Sequence, residues 1–130
     1  MATVSFVDET TAGARSGARH LEIIEESLPL REVIRRRVFQ DVAEHNAPGG
    51  DVISGLVHPT GTERGPRGYR LREPRRIDAE QQAQRALEAF SRNGFVVLVD
   101  DRQVADLDAV VTMTAGTQIT FLKLVPLVGG

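Results

Sequence analysis

The chain has 130 residues, 41% of them hydrophobic and 26% charged, which is enough for one domain with a sizeable core. The net charge of −2 gives no general attraction to nucleic acid or anionic lipid, and without cysteine there is no disulfide, thiolate metal site or thiol nucleophile. No apolar run approaches the roughly 18–20 residues of a membrane span, and Met-Ala-Thr-Val-Ser-Phe is unlike a signal peptide, so a cytoplasmic address without membrane association is the default expectation.

In chain order, "TVSFVD" (3–8) alternates as a strand, "ETTAGARSGA" is a turn-forming loop, and "RHLEIIEE" (19–26) reads as a second strand, so an N-terminal hairpin is expected. The period then changes. Leu30, Val33, Ile34, Val38 and Val42 form the stripe of an amphipathic helix that should begin near Pro29 and end near His45–Asn46. Arg35, Arg36 and Arg37 fall mostly off that stripe and read as a solvated face.

Residues 47–77 are rich in glycine, proline and arginine, with Tyr69 the only tyrosine. "VISGLV" and "GYRLRE" are candidates for a short hairpin. A stretch this long fits a mobile insertion or a surface for an acidic partner better than a nucleic-acid contact. A second helix is expected at about 78–93, with Asp78 as its cap, Ala83, Ala86, Leu87 and Phe90 as its stripe, and Gly94 closing it in the left-handed conformation. "FVVLV" (95–99) is a strand apolar on both faces, Asp100-Asp101 a turn, "RQVADLDAVVTM" a loosely structured return, and Ala115-Gly116 another turn. "TQITFLKLV" (117–125) is the last strand, and the sequence closes on "LVPLVGG". No histidine pattern has ligand spacing, so no metal site is expected and His45 and His58 read as solvent-facing or structural. No cluster of acid, base and nucleophile stands out, nor any phosphate-cradling glycine loop, so an enzyme is not expected.

Hairpin, long helix, strand-and-turn, final strand and terminal Gly-Gly together resemble the ubiquitin-like β-grasp family, over about two-thirds of the chain. "TVSFVD" and "HLEII" stand for its hairpin, Pro29–His45 for its helix, "FVVLVDDRQV" for its strand and turn, and "VVTMTAGTQITFLKLVPLVGG" for its last strand and tail. The final block is similar to the ends of the sulfur carriers of thiamine and molybdopterin biosynthesis, although Thr114–Gln118 lacks their strongly acidic turn and residues 47–94 have no counterpart in the minimal carriers. The resemblance implies an α+β fold: one β-grasp domain over 1–130, a mixed sheet with one main helix packed across it, and an insertion carrying the second helix.

It also implies a function at the tail, 125–130. Gly129 and Gly130 would be the reactive end, adenylated with ATP by a ubiquitin-activating-type enzyme; the chain itself would bind no cofactor. Glycine offers the least bulk in a narrow channel, and Pro126 fixes one dihedral in advance. Leu124, Val125, Pro126, Leu127 and Val128 would grip the partner, their apolar surface contributing at ~25 cal/mol per Å² less the cost of ordering. The expected function is a protein modifier passed as a thioester to a conjugating enzyme and then to targets, with a deconjugating peptidase as a further partner. The alternatives are a sulfur carrier ending as a thiocarboxylate with a sulfur-transfer partner, and a non-covalent binding module. Lys123 is the one lysine among 16 basic residues and so the one lysine acceptor for self-conjugation.

Overall fold

The structure, a computed structural model, describes residues 2–15, 19–46, 52–53, 62–65, 68–71 and 77–124. It is an α+β fold with a mixed five-stranded sheet and two helices. The chain divides into two compact units, one formed by residues 1–32 with 90–130 and the other by 33–89.

The first unit holds the five-stranded sheet. Its strands are β1 (Ala2–Thr10), β2 (Arg19–Ile23), β7 (Phe95–Val99), β8 (Arg102–Val104) and β10 (Gln118–Lys123), in the order β2-β1-β10-β7-β8. β1 runs antiparallel to β2 and parallel to β10, and the remaining pairs are antiparallel. The register sets Phe6 beside Ile119 and Phe121 beside Val97, so Val4, Phe6, Phe95, Val97, Ile119 and Phe121 share one face, all buried. Phe121 is the hub of that face. Its ring meets Phe6 edge-on at 5.5 Å and lies 6.4 Å from Phe95. The opposite face is mixed: Val7 and Thr120 are buried, while Val96, Leu98 and Leu122 are half-buried.

Two turns fix this register. Asp100 (φ 48°) and Asp101 (φ 69°) link the paired residues Val99 and Arg102, the two-residue left-handed turn that suits strand twist and that aspartate tolerates. The Asp100 carboxylate also accepts a 2.9 Å bond from the amide of Gln118. Before β10, the Thr117 amide donates to the Thr114 carbonyl at 3.0 Å, with Gly116 at φ 87° as a type II turn requires.

A separate antiparallel pair joins β3 (Ser27–Pro29) to β9 (Val110–Thr112). Pro29 therefore ends a strand, and α1 (Leu30–Asn46) starts one residue later than the proline implied. The amides of Leu30 and Arg31 donate to the carbonyls of Ala109 and Leu107 at 2.9 and 3.0 Å, so backbone rather than a side chain caps the first turn. The "loosely structured return" thus contains two short strands, β8 and β9, and an ordered link between them.

In the second unit the expected pairing of "VISGLV" with "GYRLRE" is present, as β4 (Val52–Ile53) against β6 (Gly68–Leu71). A third strand the sequence reading missed, β5 (Thr62–Gly65), completes the order β4-β6-β5. Residues 47–51, 54–61, 66–67 and 72–76 lie outside the described residues. Asn46 anchors Ile77 across that stretch: its side chain donates to the Ile77 carbonyl at 3.1 Å and accepts from the Ile77 amide at 3.0 Å. α2 (Ala79–Ser91) follows, capped as expected by Asp78, whose carboxylate accepts from the Gln81 amide at 3.1 Å.

The apolar stripe of α1 is buried as its spacing implied, but the solvated-face reading of its arginines fails at Arg37. That residue is 0% exposed, and its Nε donates to Asp41 Oδ2 at 2.8 Å. Arg37, Asp41 and buried His45 stand at i, i+4 and i+8, so α1 is enclosed around a wider arc than its aliphatic residues mark. Arg35 lies over the Phe39 ring at 5.3 Å and forks onto Glu80 of α2 at 2.5 and 3.0 Å.

Asp41→Ala takes a carboxylate away from a fully buried guanidinium and should cost about 3–5 kcal/mol. The fall in urea midpoint measures this, and replacing Arg37 by methionine in the same chain should soften it. The hydrogen bond from Arg35 holds the Glu80 carboxyl below its ordinary 4.5. A depressed carboxylate stabilises above the ordinary value and loses that contribution as pH falls through the lowered one. Arg35→Gln should return the Glu80 titration, followed by carboxyl NMR, toward 4.5.

Candidate functional site

The candidate site begins where β10 ends. β10 pairs with β1 at all six of its residues, Gln118 to Lys123, and with β7 at five of them, Ile119 to Lys123, so the chain leaves the sheet from its centre. Lys123 pairs with Thr10 on one side and Phe95 on the other and is half-buried. Leu124 continues the ladder by donating its amide to the Gly94 carbonyl at 3.3 Å, yet its side chain is 41% exposed. Val125, Pro126, Leu127, Val128, Gly129 and Gly130 lie outside the described residues.

The turn that receives Leu124 also corrects the sequence reading. Asn93, at φ 61°, takes the left-handed conformation that closes α2; Gly94 does not. The Asn93 amide donates to the Phe90 carbonyl at 3.0 Å, and asparagine is the residue after glycine that best tolerates this geometry. The tight turn brings Phe90 back onto Phe95, with ring centroids 5.7 Å apart.

Around this turn lies a groove of about 440 Å³, whose described lining residues all belong to the first unit. Phe90, Phe95, Val96 and Leu107 give it apolar lining, and Asn93 and Gln103 contribute amides. Arg31 and Asp108 also line it, paired at 3.0 Å, and the Asp106 carboxylate holds the Asp108 amide at 2.9 Å. The groove was not legible in the sequence, because its walls come from residue 31, from 90–96 and from 103–108. The nearest signal was Phe90 followed five residues later by Phe95 across a turn.

Among the described residues no group of three or more His, Asp or Glu side chains is placed to hold a metal ion. His45, read from the sequence as solvent-facing or structural, is buried on α1 and so does not face solvent, and His20 Nδ1 lies 3.2 Å from Ser5 Oγ in the first hairpin. His58 is outside the described residues. No helix among the described residues is long and apolar enough to cross a membrane. No family model matches the chain, and no curated protein or solved structure matches it.

At φ 61° a β-branched side chain is strained and glycine is not. Asn93→Val should therefore destabilise the first unit by roughly 1–2 kcal/mol, whereas Asn93→Gly should stay within a few tenths of wild type. Thermal melts of the two variants make the comparison.

Proposed function

We propose that the chain is a ubiquitin-like β-grasp modifier whose Gly130 carboxylate is adenylated by a ubiquitin-activating-type enzyme and conjugated to targets through a thioester. The observation that carries the proposal is the sheet order β2-β1-β10-β7-β8, with the last strand central and parallel to the first. This is the order a β-grasp domain would have, and it places "LVPLVGG" directly after the most enclosed strand. A tail anchored so firmly at its root can be drawn into a partner's channel without loss of the fold.

The chemistry is written for the chain's own end. A carboxylate oxygen of Gly130 attacks the α-phosphorus of ATP and pyrophosphate leaves. A thiolate of the activating enzyme then attacks the acyl carbon and AMP leaves. The thioester passes to a conjugating enzyme, and a target amine finally takes the acyl group and releases the thiol. ATP belongs to the activating enzyme in this scheme, and the apolar residues from Leu124 to Val128 supply the grip. Lys123 is a poor self-acceptor in this reading, being half-buried between β1 and β7.

One observation favours a second reading. The tail carries no arginine, unlike that of ubiquitin and like those of the sulfur carriers. There AMP is displaced by sulfur, and the product is a thiocarboxylate.

Incubation with ATP and the activating enzyme should yield a thioester-linked species that a reducing thiol releases. It should be lost when Gly130 is deleted and kept in Lys123→Arg. A product heavier by one sulfur in place of one oxygen supports the carrier instead. A tail that remains a free carboxylate, with activity unaffected by removal of Gly129 and Gly130, overturns both.

A further inference from the structure

We propose that the chain pairs with a second copy of itself along the outer edge of β2, joining the two five-stranded sheets into one antiparallel sheet about a two-fold axis at Leu21. Backbone direction decides which groups face that edge. The Ser5 amide donates to the Thr117 carbonyl, and the Thr3 carbonyl accepts from the Gly116 amide, so these alternate residues of β1 turn their backbone groups toward β10 and the turn before it. Ala2, Val4 and Phe6 then turn theirs toward β2, where they stand opposite Ile23, Leu21 and Arg19. His20 and Glu22, which alternate with those three, direct their amides and carbonyls away from β1. β2 ends the sheet on that side, and among the described residues no strand pairs with it there. It contains neither proline nor lysine, the residues that commonly guard such an edge.

The charges of β2 complement a copy of β2. With the two strands antiparallel and Leu21 opposite Leu21 of the second copy, His20 of each falls opposite Glu22 of the other. These are the residues with outward backbone groups, so each such pair exchanges both of its hydrogen bonds. Their side chains share the face that carries Thr3 and Ser5, and both are exposed. An imidazole therefore meets a carboxylate twice by symmetry. The Ser5 hydroxyl, 3.2 Å from His20 Nδ1, already holds that imidazole on the face where the carboxylate arrives. On the other face the half-buried Leu21 meets its own counterpart in a non-hydrogen-bonded pair, where side chains approach most closely. Arg19 falls opposite Ile23, so no like charges are opposed. A slip of two residues sets Glu22 against Glu22 in one direction and His20 against His20 in the other. A slip of one sets outward backbone groups against inward ones. One register alone satisfies backbone and side chains together.

A single strand is a small interface, so this association is of the weak kind that rises with concentration. β1 separates β2 from β10, and the pairing leaves the last strand between its present neighbours. It is therefore independent of the chemistry proposed for the terminal carboxylate.

Sedimentation velocity and amide hydrogen exchange of the full chain, from micromolar to millimolar concentration, test the pairing. In dilute solution the Leu21 amide should be protected by β1 while those of His20 and Glu22 exchange freely. As a dimer appears, the His20 and Glu22 amides should gain protection and that of Leu21 should keep its own. His20→Glu opposes like charges and should weaken association by about tenfold. Combining it with Glu22→His restores opposite partners with their places exchanged and should recover the association. Protection at Leu21 in each variant reports that the first hairpin is intact. A chain that stays monomeric at millimolar concentration overturns the proposal. So does a dimer whose His20 and Glu22 amides remain unprotected, or one that His20→Glu leaves unchanged.

Discussion

The parallel pairing of β1 with β10 is the constraint on which the first unit depends. It joins the two ends of the described sequence, Ser5 to Gln118 through Thr10 to Lys123, across more than a hundred intervening residues. Such a contact is entropically costly to close and gives little until the strands are registered. The return comes from the faces it creates. One face gathers Phe6 and Phe95 around the ring of Phe121, and the other buries Val7 beside Thr120. The aspartates of the β7–β8 turn and the glycine before β10 then hold the strand ends where the pairing needs them.

The same pairing gives the chain's last segment its character. A terminal stretch attached to an edge strand would fray with that strand. Here the root is flanked by hydrogen-bonded strands on both sides, and the ladder runs on through Leu124. Order therefore extends to the point where the apolar tail begins, and the groove opens beside that point. The function proposed for the tail draws on the rigidity of the strand that bears it.

The parts of the fold legible in the sequence were those written in local periodicity. The α1 stripe of Leu30, Val33, Ile34, Val38 and Val42, the Asp78 cap, the Asp100-Asp101 turn and the alternation in β1 and β10 each lie within a few consecutive residues. What escaped reading depended on partners distant in sequence. β3, β8 and β9 have three residues each, too few for a period of two to register; β3 and β9 exist through pairing with each other across most of the chain, and β8 through the hairpin it makes with β7. Arg37 was misread for a related reason. Three consecutive arginines look solvated, although Asp41 and His45 at helical spacing behind Arg37 were the sign that a polar row turns inward. The tail was legible as residues alone, and the groove beside the Asn93 turn required three segments to meet.

The central claim is that the last strand is the most firmly held part of the first unit and delivers the tail from its centre. Native-state amide hydrogen exchange tests this most directly. The account predicts that Phe6–Asp8 of β1 and Thr120–Leu122 of β10 exchange slowest in the unit and together, through one global opening. Exchange of β10 amides well ahead of those of β1, or only as slow as those of the edge strand β8, would contradict it.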